Sequence, residues 1–318
     1  MHPALSIILF TTASGAGYGL LALLGVLGPA GLTPEGPWFG GVSLALAFAL
    51  IGGGLLCSTV HLGRPERAWR AFSQWRSSWL SREGVLSVVT FVPAGIFAIG
   101  WVILARLDGA IMVAGLLAAL GAAATVVATA KIYASLRPIP EWASVYTLPA
   151  YLIFALMTGA VLLNALLHLL GAHSPAFSLF AAATIAAGWA WKRATWRHND
   201  TAPLPVTAND ATGLAGGRIR TVEWPHTEAN YLMKEMGYRI ARKHSARLRR
   251  ITEAAAFAIP LGLTAGAALI GGIPAAVLAV LAVLAQAPGM LVERWLFFAE
   301  ARHVVSLYYM PEHSGQAA

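Results

Sequence analysis

Residues 61–83, HLGRPERAWRAFSQWRSSWLSRE, collect five Arg, four aromatic residues, one His and two Glu in a chain of which only 11% is charged. His61 and Glu83 bracket the stretch, and they are the pair whose types suit chemistry. An imidazole can donate a hydrogen bond to one carbonyl oxygen of a quinone, and a carboxylate can exchange the protons that accompany two-electron transfer. Ionisable groups near membrane depth are costly, which makes them functional candidates. The helix dipole offers a plainer account, because it favours a cationic His at a helix C-terminus and a Glu in the first turn after Ser81. These residues alone leave both accounts open.

The elements that must hold this pair follow from composition. The chain has 318 residues, 58% of them apolar, and a mean hydropathy of +0.66. Such a chain is an integral membrane protein built in spans of about 20 residues. Apolar runs at 4–27, 38–60, 84–105, 109–133, 146–170, 175–196, 252–271 and 273–292 predict an all-α fold of eight transmembrane helices, grouped as two four-helix bundles. The N-terminal MHPALSIILFTT lacks a basic leader and is expected to be a retained first span. Of the 22 Lys and Arg, 21 lie in or beside the connections 61–83, 134–145 and 197–251 or the C-terminal end, and only Arg106 lies opposite. The positive-inside rule therefore predicts a bacterial inner membrane protein with both termini and all large loops in the cytoplasm. The net charge of +8 reports this topology rather than nucleic acid. Gly15, Gly17, Gly52, Gly53 and Gly54 are expected to serve helix packing.

Between His61 and Glu83, a helical wheel puts Ala68, Trp69, Phe72, Trp75 and Trp79 within an arc of about 120°. Arg64, Glu66, Arg67, Arg70, Ser73 and Gln74 take the other side. That predicts an interfacial helix with its aromatic face toward lipid or a cavity. The connection 198–224 reads as irregular, with a short strand at 218–222, and its GLAGG lacks the context of a phosphate loop. From Thr227 the spacing turns helical: Leu232, Met236, Ile240, His244 and Leu248 share a face, and Glu235 and Arg239 form an i,i+4 pair. Residues 197–251 are thus a loop for partner docking or lipid contact. Beyond Pro288, ERWLFFAEARHVVSLYY predicts an amphipathic tail at 293–318 that leaves the bilayer or lies on it.

The lone Cys57 excludes a disulfide, a CxxCH haem attachment and a thiolate metal set within this chain. Haem would need facing imidazoles; His61 and His303 share a depth, His168 and His173 lie at the opposite surface, and nothing fixes a pair. A transporter would show paired broken helices with polar residues at mid-membrane, whereas Asn164 and Gln286 are the only obvious polar residues within spans and suit interhelical hydrogen bonds. A passive assembly anchor remains the alternative from another class.

The strings HLGRPERAWRAF, WRSSWLSREG, KIYASLRPIPEW and WPHTEANYLMKEMGYRIARKH resemble the DmsC family of eight-span anchor subunits, relatives of the NrfD group, over nearly the whole chain. The resemblance implies a complex with a molybdenum-cofactor catalytic subunit and an iron–sulfur subunit, no haem, and ubiquinone or menaquinone as the membrane substrate. It ties menaquinol binding to His61 and Glu83, with Gly63 and Arg67 also implicated. Arg64, Trp69, Trp79 and Arg82 complete the expected quinone site; Arg137, His226, Glu228, Glu235, Arg239 and Arg242 are expected to dock the partners. Dimethyl sulfoxide reductase anchors oxidise menaquinol for an exported catalytic subunit, whereas sulfite dehydrogenase anchors pass electrons to quinone from a cytoplasmic one. The charge asymmetry favours the second branch.

Overall fold

The computed structural model of the protein describes residues 4–60, 64–214 and 240–305, with Gly216, Ile219, Glu223, Glu228 and Leu307, and describes no side chains at 240–243. His61, Gly63, His226, Glu235 and Arg239 lie outside the described residues, as do the side chain of Arg242 and most of the strand expected at 218–222. The long apolar runs are helices: α1 (Leu5–Leu27), α2 (Pro37–Val60), α3 (Trp79–Val102), α4 (Gly109–Ala134), α5 (Thr147–Leu169) and α6 (Pro175–Thr201). After the short α7 (Ala208–Thr212) come α8 (Ile240–Thr252), a π-helical turn (Glu253–Ala258), α9 (Ile259–Leu269) and α10 (Gly272–Ala299). Lipid supplies no hydrogen-bond partner, so each of these backbones must close its own bonds.

Among the described residues, seven helices are long and apolar enough to cross a membrane, one of them running unbroken from His244 to Leu269. The sequence predicts eight. The helix that falls short is α6, which is 27 residues long but carries Lys192, Arg193, Arg197, His198 and Asp200 in its second half.

The central helix is α1, which packs on α2, α4 and α5 and more lightly on α10; α5 in turn meets α6 and α10, and α9 lies between α6 and α10. Glycines allow the closest crossings. A Cβ on Gly19 would fall 1.8 Å from the Ala155 carbonyl oxygen of α5, and one on Gly159 would fall 2.3 Å from the Gly19 backbone. Gly17 and Gly54 serve the α1/α2 contact in the same way, whereas Gly15, Gly52 and Gly53 face open space and play no such part. At Gly289, one residue past the Pro288 inside α10, a Cβ would meet the Ala256 backbone nitrogen at 2.3 Å, so this bare stretch of α10 seats the π-helical turn.

Three local expectations change. Residues 65–74 form a 3-10 helix with three residues per turn. Trp69, Phe72 and Trp75 then stand in one row three apart, and Trp79 belongs to α3. Helix α3 is capped by Ser78, whose hydroxyl accepts from the Ser81 amide at 3.4 Å, so Glu83 is the fifth residue, beyond the first turn where a dipole account would place it. The chain past residue 292 does not leave the core at once: α10 runs on to Ala299, with Glu293 and Arg294 buried among the helices.

Candidate functional site

Glu83 is 4% exposed, at the end of α3 that carries the basic 61–83 connection. The Thr129 hydroxyl of α4 donates to its Oε1 and also turns back to the Thr125 carbonyl. Tyr18 of α1, together with Ser87 and Thr125, encloses the same spot. A carboxylate so buried keeps few hydrogen-bonding partners, which leaves it ready to take or give a proton.

The 3-10 segment roofs this end of α3. The Phe72 ring would lie 3.3 Å from a Cβ on Gly84, the Ser81 hydroxyl donates to the Ala71 carbonyl, and Arg82 donates to the Trp75 and Arg76 carbonyls at 3.0 and 2.7 Å. The Arg82 guanidinium lies 4.3 Å from the Trp79 ring centre. Trp79 and Arg82 are thereby tied to the roof at the start of α3. Arg64, Arg67 and Trp69 are exposed, and Arg67 reaches Glu66 at 3.9 Å.

A second set of charges lies deeper. Lys192 of α6 pairs with Glu293 of α10 at 2.5 Å, and Arg294 reaches the other Glu293 oxygen at 3.5 Å, all three side chains being almost fully buried. Arg294 also lies 4.3 Å from the Tyr151 ring centre. Between Glu83 and this triad is a cavity of ≈ 20 Å³, lined among others by Gly15, Tyr18, Thr129, Tyr151 and Arg294. A larger cavity of ≈ 280 Å³ borders Lys192 at the loop end, with Glu141, Asp200, Arg249, Glu300 and Arg302 in its wall. There Arg249 bonds Asp200 through two nitrogens at 2.7 and 2.9 Å and Glu300 at 2.7 Å, and Arg302 bonds Glu141 at 2.5 Å.

A model of the family described as DMSO reductase anchor subunit (DmsC) matches residues 1–308. The chain belongs to the DmsC family. The C subunit of sulfite dehydrogenase from Allochromatium vinosum is 34% identical to it over 326 residues, covering 97% of this protein and 99% of the relative. The C component of anaerobic dimethyl sulfoxide reductase from Escherichia coli is 29% identical over 143 residues, 44% of this protein and 49% of that one. No solved structure matches.

Within this DmsC-family protein the sequence pattern places Glu83 and its roof, but it does not point to Thr129, Tyr18, Tyr151, Lys192, Glu293 or Arg294. Asn164 and Gln286 are therefore not the main polar groups inside the spans. A signal for the triad is present: the apolar pattern of α10 continues through LFFA after Glu293 and Arg294, so the helix has to carry them inward or expose those residues. At the other membrane face, His173 Nδ1 lies 3.2 Å from His168 Nδ1, and His168 Nε2 meets the Ser178 hydroxyl, which donates to Asn164. Arg106, just past α3 at that end, is paired with Asp108 at 3.0 Å, and the guanidinium holds that carboxyl below its usual range. His303 accepts from the Val305 amide through Nδ1 at 3.0 Å, and burial lowers its pKa. Arg137 and Glu228 are exposed, Arg137 in the connection from α4 to α5.

Proposed function

We propose that this protein is the quinone-binding membrane anchor of a multi-subunit oxidoreductase and passes electrons between an iron–sulfur partner and the membrane quinone pool. The single observation that carries the reading is Glu83, a buried carboxylate at the loop-side end of its span, bonded by Thr129 and roofed by an aromatic 3-10 helix. The donor set suits a quinone headgroup: His61, which follows α2 directly, donates to one carbonyl oxygen, and Glu83 exchanges protons. The small cavity at Thr129 has room for about one water and none for a ring. The headgroup therefore belongs on the roof side of Glu83, between the 3-10 segment and the end of α2, with Trp79 and Arg82 at its edge and Gly63, Arg64, Arg67 and Trp69 in the connection that closes it. The quinone supplies the two-electron, two-proton chemistry when bound; the protein orients the headgroup, excludes water and holds the proton at the Glu83 carboxyl.

The sulfite-oxidising type is favoured over the dimethyl sulfoxide-reducing type, because likeness to the sulfite dehydrogenase relative runs the full length of the sequence and likeness to the other relative extends over less than half of it. In this reading a molybdenum catalytic subunit and the iron–sulfur subunit dock on the basic face. Residues 197–251, Arg137 and the segment after α10 form that face, with His226, Glu228, Glu235, Arg239 and Arg242 as contacts. At 27 residues α6 is about 40 Å long, enough to make the eighth span. Two groups of four helices, α1 to α4 and the remaining four, then place both termini in the cytoplasm.

Replacing Glu83 with Gln in the assembled complex is expected to lower quinone-linked turnover by at least about a hundredfold, while dye-linked activity of the partner subunits persists. Unchanged quinone kinetics would sink the reading and return the protein to a passive anchor.

A further inference from the structure

Thr11, Ser14 and Thr158 near the small cavity satisfy their hydroxyls on carbonyls of their own helices. Other groups in its wall do not. Tyr18 Oη, Tyr151 Oη and Arg294 Nε are buried with no partner in good hydrogen-bonding geometry among the described residues, although Tyr18 stands beside Ser87 and Thr125 and Tyr151 beside Arg294, and all three residues line this one cavity, together with Thr129. Buried polar groups rarely stay unpaired, and a polar cavity of this size holds a water when two to four partners surround it. The wall supplies that number.

We infer that a water held in this cavity joins Glu83 to the Lys192–Glu293 pair, making a proton relay from the quinone-side carboxylate to the polar cavity at the loop-side surface. The links run from Thr129 through the cavity to Arg294 and Glu293. Thr129 donates to Glu83 and lines the water site, Tyr18 and Tyr151 line it too, and Arg294 borders it while facing Glu293 at 3.5 Å. Glu293 meets Lys192 at 2.5 Å, and Lys192 forms part of the wall of the ≈ 280 Å³ cavity, which has room for several waters. A buried ion pair is a poor means of adding stability, since well-packed apolar residues of the same volume do as well or better. Its place between two cavities with polar groups in their walls suits transfer instead.

The inference rests on the quinone reading, and its balance follows from it. Reduction of one quinone takes two electrons from the iron–sulfur partner and two protons, delivered one at a time through Glu83 to the two carbonyl oxygens; quinol oxidation runs the same route outward. Each proton leaving Glu83 is replaced through Thr129 from the water, and the water regains it from Glu293 at Oε2, an oxygen with no hydrogen-bond partner among the described residues. Glu293 is reprotonated through Lys192 from the wet cavity. Arg294 keeps its protons and orients the water.

The test uses the assembled complex with a short-chain quinone. Tyr18→Phe removes one partner of the water from α1 without altering charge. Tyr151→Phe removes another from α5, and Lys192→Met with Glu293→Gln removes the pair at constant net charge. Each variant is expected to lower quinone-linked kcat about tenfold or more, with KM for quinone changed by less than about twofold and dye-linked activity retained. The solvent deuterium isotope effect should rise, and acetic acid or imidazole, which carry protons through water, should restore part of the rate. Unchanged kcat, or a loss that neither proton carrier restores, overturns the relay. If the double variant fails to assemble, Tyr18→Phe and Tyr151→Phe decide. Loss in Glu83→Gln with normal rates in these variants removes the relay alone; normal rates in Glu83→Gln as well remove the quinone reading beneath it.

Discussion

Glu293 stands between two cations, Lys192 at 2.5 Å and Arg294 at 3.5 Å, with 1% of its surface exposed. Its loss and the loss of Lys192 should therefore differ. Glu293→Gln leaves two buried cations without their counter-ion and is expected to cost about 3–5 kcal/mol, the range for breaking a buried pair. Lys192→Met leaves Glu293 with Arg294 and should cost clearly less. Thermal unfolding of the two variants in detergent checks the order; an equal or reversed order would show that Arg294 does not neutralise Glu293. At this scale the sequence is only partly readable. Glu83 stands out because it ends a charged stretch, whereas Lys192 and Glu293 are 101 positions apart and nothing in either run of residues announces the other.

At the scale of elements, the glycines separate crossing from lining. Gly19→Ala would push α1 off the Ala155 carbonyl of α5 and is expected to destabilise by about 1–3 kcal/mol or more, as overpacking does. Gly52→Ala meets nothing within 4 Å and should be neutral or stabilise by up to about 1 kcal/mol through helix propensity. Melting temperatures of the two variants test this, and a similar drop in both would deny the crossing its role. The five glycines singled out by their place within spans look alike in sequence, and only the helix partners tell Gly17 and Gly54 from Gly15, Gly52 and Gly53. The roof illustrates the opposite case. The aromatic row is visible from spacing, but a wheel assumes 3.6 residues per turn, and the backbone adopts three, which takes Ala68 and Trp79 out of the row and keeps Trp69, Phe72 and Trp75.

For the whole molecule, Glu83, the triad and both cavities lie toward the ends of the spans that carry the basic loops, while the far end holds a paired Arg106 and the His168–His173 contact. Quinone protons and partner electrons would then enter and leave on one side. Turnover of the complex in sealed proteoliposomes is expected to generate no membrane potential, as read by a potential-sensitive dye; a potential that collapses with an ionophore would contradict this arrangement.

What the sequence determined by itself was the class of molecule and the place to look. Lipid solvation leaves apolar runs of this length no choice but helix, and the basic residues gather in a few connections between those runs. The tertiary structure alone decided what faces what: that Thr129 holds Glu83, that α10 carries Glu293 and Arg294 inward to meet Lys192, and that Tyr18 and Tyr151 share one small cavity. Those contacts depend on the rotation and depth of helices far apart in sequence, which packing settles and local pattern does not encode.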